Sequence, residues 1–122
     1  MTYLAVFESD SWRLESEELA QALAHDWPDA QVEIADPGSA GSEVRAVEWQ
    51  YPSESGDLEG YSHADGKCIY LEGPISVVAD FVVWYRGLVD ADVQVVFCDD
   101  AYSFDGIVPA GATKEEVLSI AE

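Results

Sequence analysis

Apolar and polar residues alternate along several segments of the chain, which is the pattern of a β-strand with one buried face. The clearest case is residues 43–51, where one side of the predicted strand carries Arg45, Val47, Trp49 and Tyr51. Compact apolar runs bounded by turn-forming residues predict further strands at residues 2–8, 31–35, 67–71, 92–98 and 104–108. The dipeptide Asp65-Gly66 predicts a hairpin turn, with a partner strand near residues 58–62.

Other segments have apolar residues at helical spacing. Leu19, Leu23 and Trp27 recur every four residues, which predicts a first helix that ends near Trp27. Near the end of the chain, Thr113 and Glu116 have the spacing of a capping box, so a short helix is expected to begin there.

The segment 73–90 combines strand-forming valines with polar residues that recur at helical spacing, and Pro74 suits the first turn of a helix. We therefore expect a helix that is buried over most of its surface. Trp84 flanks its polar stripe and is either packed beneath a neighbouring loop or exposed as an aromatic anchor for a partner. The order of elements and the short connections predict a single α+β domain over residues 1–122, with a mainly antiparallel sheet and helices on one face.

The charge of the chain is its most unusual property. It has 25 Asp and Glu residues against 5 Lys and Arg, a formal net charge of −20. Self-repulsion of this size costs stability, so the acidity is expected to serve a purpose. It excludes nucleic acid as a direct ligand, because a phosphate backbone needs basic residues, and it suits a basic protein partner. The alternative is a halophile-adapted or housekeeping domain whose acidity serves solvation, although the many valines and aromatics do not fit the lean core expected of a halophile.

The beginning of the chain has no basic region, and no apolar stretch reaches the length of a membrane span. A soluble, cytoplasmic protein without membrane association is therefore expected. Cys68 and Cys98 lie between apolar neighbours, which predicts small buried thiols in a reducing compartment; a disulfide between them is the less favoured alternative.

The stretch FCDDAYSFDG, residues 97–106, is the best candidate for chemistry. Aligned as an EF-hand loop it lacks the first and last ligands, so that kind of calcium site is excluded. An irregular metal site built from Asp99, Asp100 and Asp105 is a less favoured alternative, and with it a small metal-dependent hydrolase. Acidic neighbours make Cys98 a poor nucleophile, and no complete catalytic motif occurs. We therefore expect no enzymatic activity, catalytic residue, metal or cofactor.

Three segments of the chain, SWRLESEELAQALAHDWPDAQV, DGKCIYLEGPISVVADFVVWYRGLV and FCDDAYSFDGIVPAGATKEEV, resemble small acidic actinobacterial proteins of unassigned function. Some of these look like immunity proteins encoded beside polymorphic toxins. The resemblance covers most of the chain and implies a binding role, in which an acidic surface covers the basic cleft of a nuclease toxin. The residues expected to bind such a partner are Asp99, Asp100, Tyr102 and Asp105, together with Trp84, Glu54, Asp57 and Glu59.

Overall fold

The computed structural model describes residues 2–8, 16–34, 45–63, 68–101 and 103–121. Within these ranges the chain forms, in order, β1 (Thr2–Glu8), α1 (Ser16–Asp26), β2 (Gln31–Ile34), β3 (Arg45–Tyr51), β4 (Leu58–His63), β5 (Cys68–Glu72), α2 (Ile75–Leu88), β6 (Gln94–Asp99), β7 (Asp105–Val108) and α3 (Lys114–Ile120). The predicted order of strands and helices is confirmed, and the observed ends differ from the predicted ones by at most two residues. The predicted turn at Asp65-Gly66 lies outside the described residues.

The seven strands form one antiparallel sheet in the order β2-β3-β4-β5-β1-β6-β7. The first strand of the chain therefore lies inside the sheet, between β5 and β6. Because β5 and β6 both run antiparallel to β1, they are parallel to each other, and α2 is the crossover between them. The predicted fold class, an α+β domain with a mainly antiparallel sheet, is confirmed. No helix in the described ranges is long and apolar enough to cross a membrane.

One face of the sheet is covered by the helices, and we call it the covered face. Alternate residues of the strands point into it and form a single core with the helices, including Ala5, Phe7, Leu71 and Phe97. The central helix α2 is buried over most of its surface, as predicted, and of its predicted polar stripe Asp80 and Gly87 are exposed. The capping box at the start of α3 is also confirmed: Thr113 Oγ1 accepts a hydrogen bond from the backbone N–H of Glu116 at 3.2 Å.

Aromatic rings connect the helices to the sheet. The indole of Trp49 in β3 stacks on Phe81 of α2, with ring centroids 5.3 Å apart and an interplanar angle of 13°. Gly60 in the neighbouring strand β4 makes room for it, because a Cβ atom there would lie 2.6 Å from the indole. Trp27, just beyond α1, contacts both Tyr51 and Phe81 and so links the first helix to this cluster.

Arg86 is a buried cation near the end of α2, with only 4% of its surface exposed. Its guanidinium donates five hydrogen bonds, all to backbone carbonyl oxygens. Nε bonds to Val108 in β7 at 2.8 Å, and the two terminal nitrogens bond to carbonyls of residues 89–93. A buried polar group is stable only when such partners are present. Arg86 therefore joins the end of α2, the connection to β6 and the edge strand β7.

Candidate functional site

The other face of the sheet is not covered by any of the three described helices, and we call it the open face. The same alternation that buries Val47 and Trp49 places Glu48 and Gln50 on this side. In β5, Ile69 is buried on the covered face while its neighbour Tyr70 belongs to the open face. Among the described residues, this face therefore offers exposed or partly exposed polar and aromatic side chains to a ligand or a partner.

A groove of about 460 Å³ runs across five strands of the open face, from β2 through β3, β4 and β5 to β1. Two rows of side chains cross the strands within it. The first row is Gln31, Gln50, Glu59, Glu72 and Thr2, and the second is Glu33, Glu48, Tyr61 and Tyr70. Four of these nine side chains are glutamates, so the groove is acidic.

The four glutamates of the groove form two pairs that face each other across neighbouring strands. Glu33 is directly opposite Glu48, and Glu59 is directly opposite Glu72. Side chains opposite one another in an antiparallel sheet have Cβ atoms about 5 Å apart, and like charges there destabilise the sheet. Glu59 is further oriented by Gln50, whose Nε2 donates a hydrogen bond to Glu59 Oε1 at 3.0 Å. We call these pairs the opposed glutamates.

Two tyrosines lie beside the opposed glutamates in the second row. Tyr61 and Tyr70 are opposite each other on β4 and β5, and their rings stack with centroids 4.6 Å apart and an interplanar angle of 19°. Both rings are half-buried, and both line the groove. Aromatic rings of this kind supply large contact areas to a partner at a small cost in side-chain entropy. The groove thus offers an aromatic surface between carboxylates.

Most of the acids expected from the sequence to bind a partner lie at one end of the sheet. Glu54 and Asp57 are exposed in the connection between β3 and β4, and Glu59 lies just beyond it in the groove. Asp100 is exposed after β6, where its backbone N–H donates to the carbonyl of Thr2 at 3.0 Å. Two segments that are distant in sequence therefore lie at the same end of the sheet, where the first row of the groove is found. We call Glu54, Asp57 and Asp100 the acidic rim.

Asp105 and Tyr102 complete the turn expected to bind a partner. Asp105 is exposed at the start of β7, opposite Cys98, and belongs to the open face. It lies three strands away from β5, beyond the groove. Tyr102 lies outside the described residues.

The prediction that Asp99 displays its charge on the surface is wrong. Asp99 is the last residue of β6 and shares the covered face with Phe97, so only 1% of its surface is exposed. Its Oδ1 accepts a hydrogen bond from the backbone N–H of Ser103 at 2.6 Å, and Oδ2 has no hydrogen-bond partner. The carboxylate shapes the turn that follows β6. It was mistaken for a surface acid because the alternation of the strand continues one residue further than predicted.

The structure places Trp84 in the helical layer, away from the groove. Its ring contacts Phe81 and Trp27, with centroids 5.1 and 6.0 Å away, and its Nε1 donates to Asp26 Oδ2 at 2.7 Å. This hydrogen bond, with a second one from His25, lowers the pKa of the Asp26 carboxyl below its ordinary value. Of the two predicted roles of Trp84, these contacts match packing at the edge of the core.

Cys98 is buried, as expected from the sequence, whereas Cys68 is only half-buried, and neither thiol takes part in a disulfide. Burial, followed by the charges of Asp99 and Asp105, raises the pKa of the Cys98 thiol, which keeps it protonated and weakly nucleophilic. Among the described residues, no group of three or more His, Cys, Asp or Glu side chains is arranged to hold a metal ion.

Of the nine groove side chains, only Glu59 was predicted from the sequence. The period-two alternation in β3 and β5 could have assigned Glu48, Tyr70 and Glu72 to an outward face, because each alternates with a buried apolar residue. Comparisons of the chain with models of protein families, with curated proteins and with solved structures found no match. Function is therefore inferred from the open face and the charge of the chain.

Proposed function

We propose that the protein is a non-catalytic binding domain that holds a basic protein on the open face of its sheet. In its most concrete form it is an immunity protein, a stoichiometric inhibitor of a basic toxin of the nuclease type. The observation that supports this is the pair of opposed glutamates, Glu59 and Glu72, in a groove flanked by stacked tyrosines. Like charges placed face to face across strands cost the fold stability, and a cationic partner would remove that cost.

Two cations of the chain, Arg86 and Lys114, lie away from the groove. Arg86 is buried on the covered face, where it bonds only to carbonyl oxygens. Lys114 pairs with Asp80 at 3.2 Å in the helical layer. Because the chain carries a net charge of −20, a basic partner would meet a negative potential, which increases the rate of association. The tyrosines would provide the desolvated contacts that slow dissociation.

The acidic rim extends this potential toward the end of the sheet. Glu54, Asp57 and Asp100 are exposed charges at the border of the groove, and charges at the rim of an interface mainly affect the association rate. A nuclease that binds nucleic acid carries a basic cleft, since phosphates require cations. An inhibitor of such a nuclease needs an acidic surface that faces the cleft, and the open face with its acidic rim is suited to this role.

The test is affinity capture from extracts of the source cells at low salt, with mass spectrometry of the retained proteins. Three baits are compared: the wild type, a groove variant with Glu59→Lys and Glu72→Lys, and a control variant with Asp92→Lys and Glu115→Lys. Both variants change the net charge equally, and the control residues are exposed outside the groove. We expect one protein of high isoelectric point to be retained by the wild type and the control and lost by the groove variant.

The captured protein is then purified and assayed for cleavage of RNA and DNA in the presence of increasing amounts of the wild type. Cleavage that falls to zero at a one-to-one ratio supports inhibition of a nuclease. Retention of the same basic protein by all three baits would overturn the groove as the binding site. The alternative, an acidity that serves solvation, would be favoured by two results together. The wild type would capture no basic protein, and its stability would rise steeply up to molar salt.

A further inference from the structure

The opposed glutamates are arranged for a planar cation with several donors. Glu59 and Glu72 present two carboxylates from adjacent strands, and Gln50 already holds one of them in place. A guanidinium has five N–H donors in a rigid fork and can bond to two carboxylates at once, whereas an ammonium is a compact point charge. The geometry of these acids thus favours arginine over lysine.

The stacked tyrosines add a second reason for the same preference. Tyr61 is directly opposite Glu48, and Tyr70 is two residues from Glu72 on the same side of β5. An aromatic plane that adjoins carboxylates allows a guanidinium to stack on the ring while its edge bonds to the acid. Lysine lacks the planar group needed for stacking.

The dimensions of the groove fit an extended segment of chain. Five strands at about 4.8 Å spacing give a length of roughly 19 Å, which is about six residues of extended chain. The two pairs of opposed glutamates are offset by two strands and one row, and we place their midpoints about 12 Å apart from strand and residue spacings. Arginines four residues apart in an extended segment point to the same side and span about this distance.

We propose that the groove recognises an extended, arginine-bearing segment of its protein partner and discriminates against lysine. In the bound state one arginine bridges Glu59 and Glu72, a second lies at Glu33 and Glu48, and a guanidinium stacks on the tyrosine pair. This inference rests on the proposed function, because it specifies the partner chemistry of the same site.

The test uses three synthetic ten-residue peptides of neutral Gly and Ser background. They carry two arginines, two lysines or two citrullines, four positions apart; citrulline has the shape of arginine without its charge. Binding to the wild type is measured by calorimetry at low salt, and the site is located by amide chemical shifts. We expect the arginine peptide to bind about five- to tenfold more tightly than the lysine peptide, to perturb amides of β2 to β5, and to bind far more tightly than the citrulline peptide.

Two variants locate the source of the preference. Glu72→Gln keeps the shape of the side chain and should lower the affinity for the arginine peptide about tenfold. Tyr70→Leu should reduce the preference for the arginine peptide over the lysine peptide about two- to threefold, and circular dichroism checks that each variant is folded. Asp92→Asn is the control for the charge change and should leave all affinities unchanged.

The outcomes separate this inference from the proposed function. Equal affinity of the arginine and lysine peptides overturns arginine selection, while groove-dependent capture of a basic protein would still support the binding role. Failure of both peptides to perturb β2 to β5 also overturns the inference. If arginine selection is observed but the captured protein does not depend on the groove, the recognition chemistry holds and the proposed function fails.

Discussion

The two faces of the sheet are made from alternate residues of the same strands and have opposite chemistry. In β3, Val47 and Trp49 are buried on the covered face, while Glu48 and Gln50 belong to the open face. Polar groups on the covered face stabilise the fold through hydrogen bonds. For example, the hydroxyl of Ser62 accepts a hydrogen bond from the backbone N–H of Val47 at 3.1 Å. On the open face, glutamates stand opposite glutamates.

This difference shows which face maintains the fold. Burial of apolar side chains contributes about 25 cal/mol per Å² to stability, and nearly all of it occurs on the covered face. The opposed glutamates lower the stability of the fold, because like charges that face each other across strands repel. A sheet under selection for stability alone would place opposite charges or threonines at such positions. The open face is therefore the part of the molecule where the placement of charges opposes stability.

The largest effect is expected from removing the buried cation of the covered face. Arg86→Met has a side chain of similar length but removes the guanidinium from five carbonyl oxygens, of which that of Asp90 keeps a hydrogen bond from the backbone N–H of Val93. Each buried group that loses its hydrogen bond costs about 1–3 kcal/mol. We therefore expect the free energy of unfolding, measured in urea, to fall by roughly 3 kcal/mol or more.

Arg86→Lys is the matched control for that experiment. It keeps the charge but offers three donors in place of the guanidinium fork, so it should cost less than Arg86→Met and more than a surface substitution. A loss below about 1 kcal/mol for the methionine variant would show that water or a rearranged loop satisfies the carbonyls, and that Arg86 is not essential to the covered face.

A smaller loss is expected from crowding the aromatic cluster. In Gly60→Ala the new Cβ would lie 2.6 Å from the indole of Trp49, which must then leave its stack on Phe81. Overpacking of this kind costs about 1–3 kcal/mol. Gly87→Ala is the matched control, because a Cβ there meets nothing within 4 Å on the exposed side of α2. It should gain about 0.5–1 kcal/mol through helix propensity.

Thermal unfolding followed by near-ultraviolet circular dichroism distinguishes these glycine variants. Gly60→Ala should lower the melting temperature and weaken the aromatic signal, whereas Gly87→Ala should raise the melting temperature and leave the signal intact. If both variants were equally stable, the close approach of Trp49 to Gly60 would be relieved by small backbone shifts, and Gly60 would have no special role.

The fold could be predicted because its determinants are local. Alternation in β3, helical spacing in α1 and the Thr113 capping box each depend on residues that are close in sequence. The position of β1 between β5 and β6 could not be predicted, because it depends on pairings between segments about 60 to 100 residues apart. Local patterns do not specify which strands become neighbours.

The candidate site was harder to predict for the same reason. Glu59 and Glu72 are thirteen positions apart in sequence and become opposed only when β4 pairs with β5. An excess of acids across the whole chain also hid the few that are placed together, since any one of them could be a solvated charge. Asp99 shows the converse error: a residue that looks like a surface acid in the sequence is buried by one further step of strand alternation.

The smallest effect, with the opposite sign, is expected on the open face. Glu72→Gln removes the repulsion from Glu59 without changing the shape of the side chain, so it should stabilise the fold by about 0.2–1 kcal/mol at low ionic strength. Asp92→Asn makes the same change in net charge on an exposed loop residue and controls for long-range repulsion. The difference between the two should shrink in 1 M salt, where the Debye length is only about 3 Å. If Glu72→Gln were less stable than the wild type, the carboxylate of Glu72 would stabilise the fold. The opposition between charge placement and stability on the open face would then not hold for this residue.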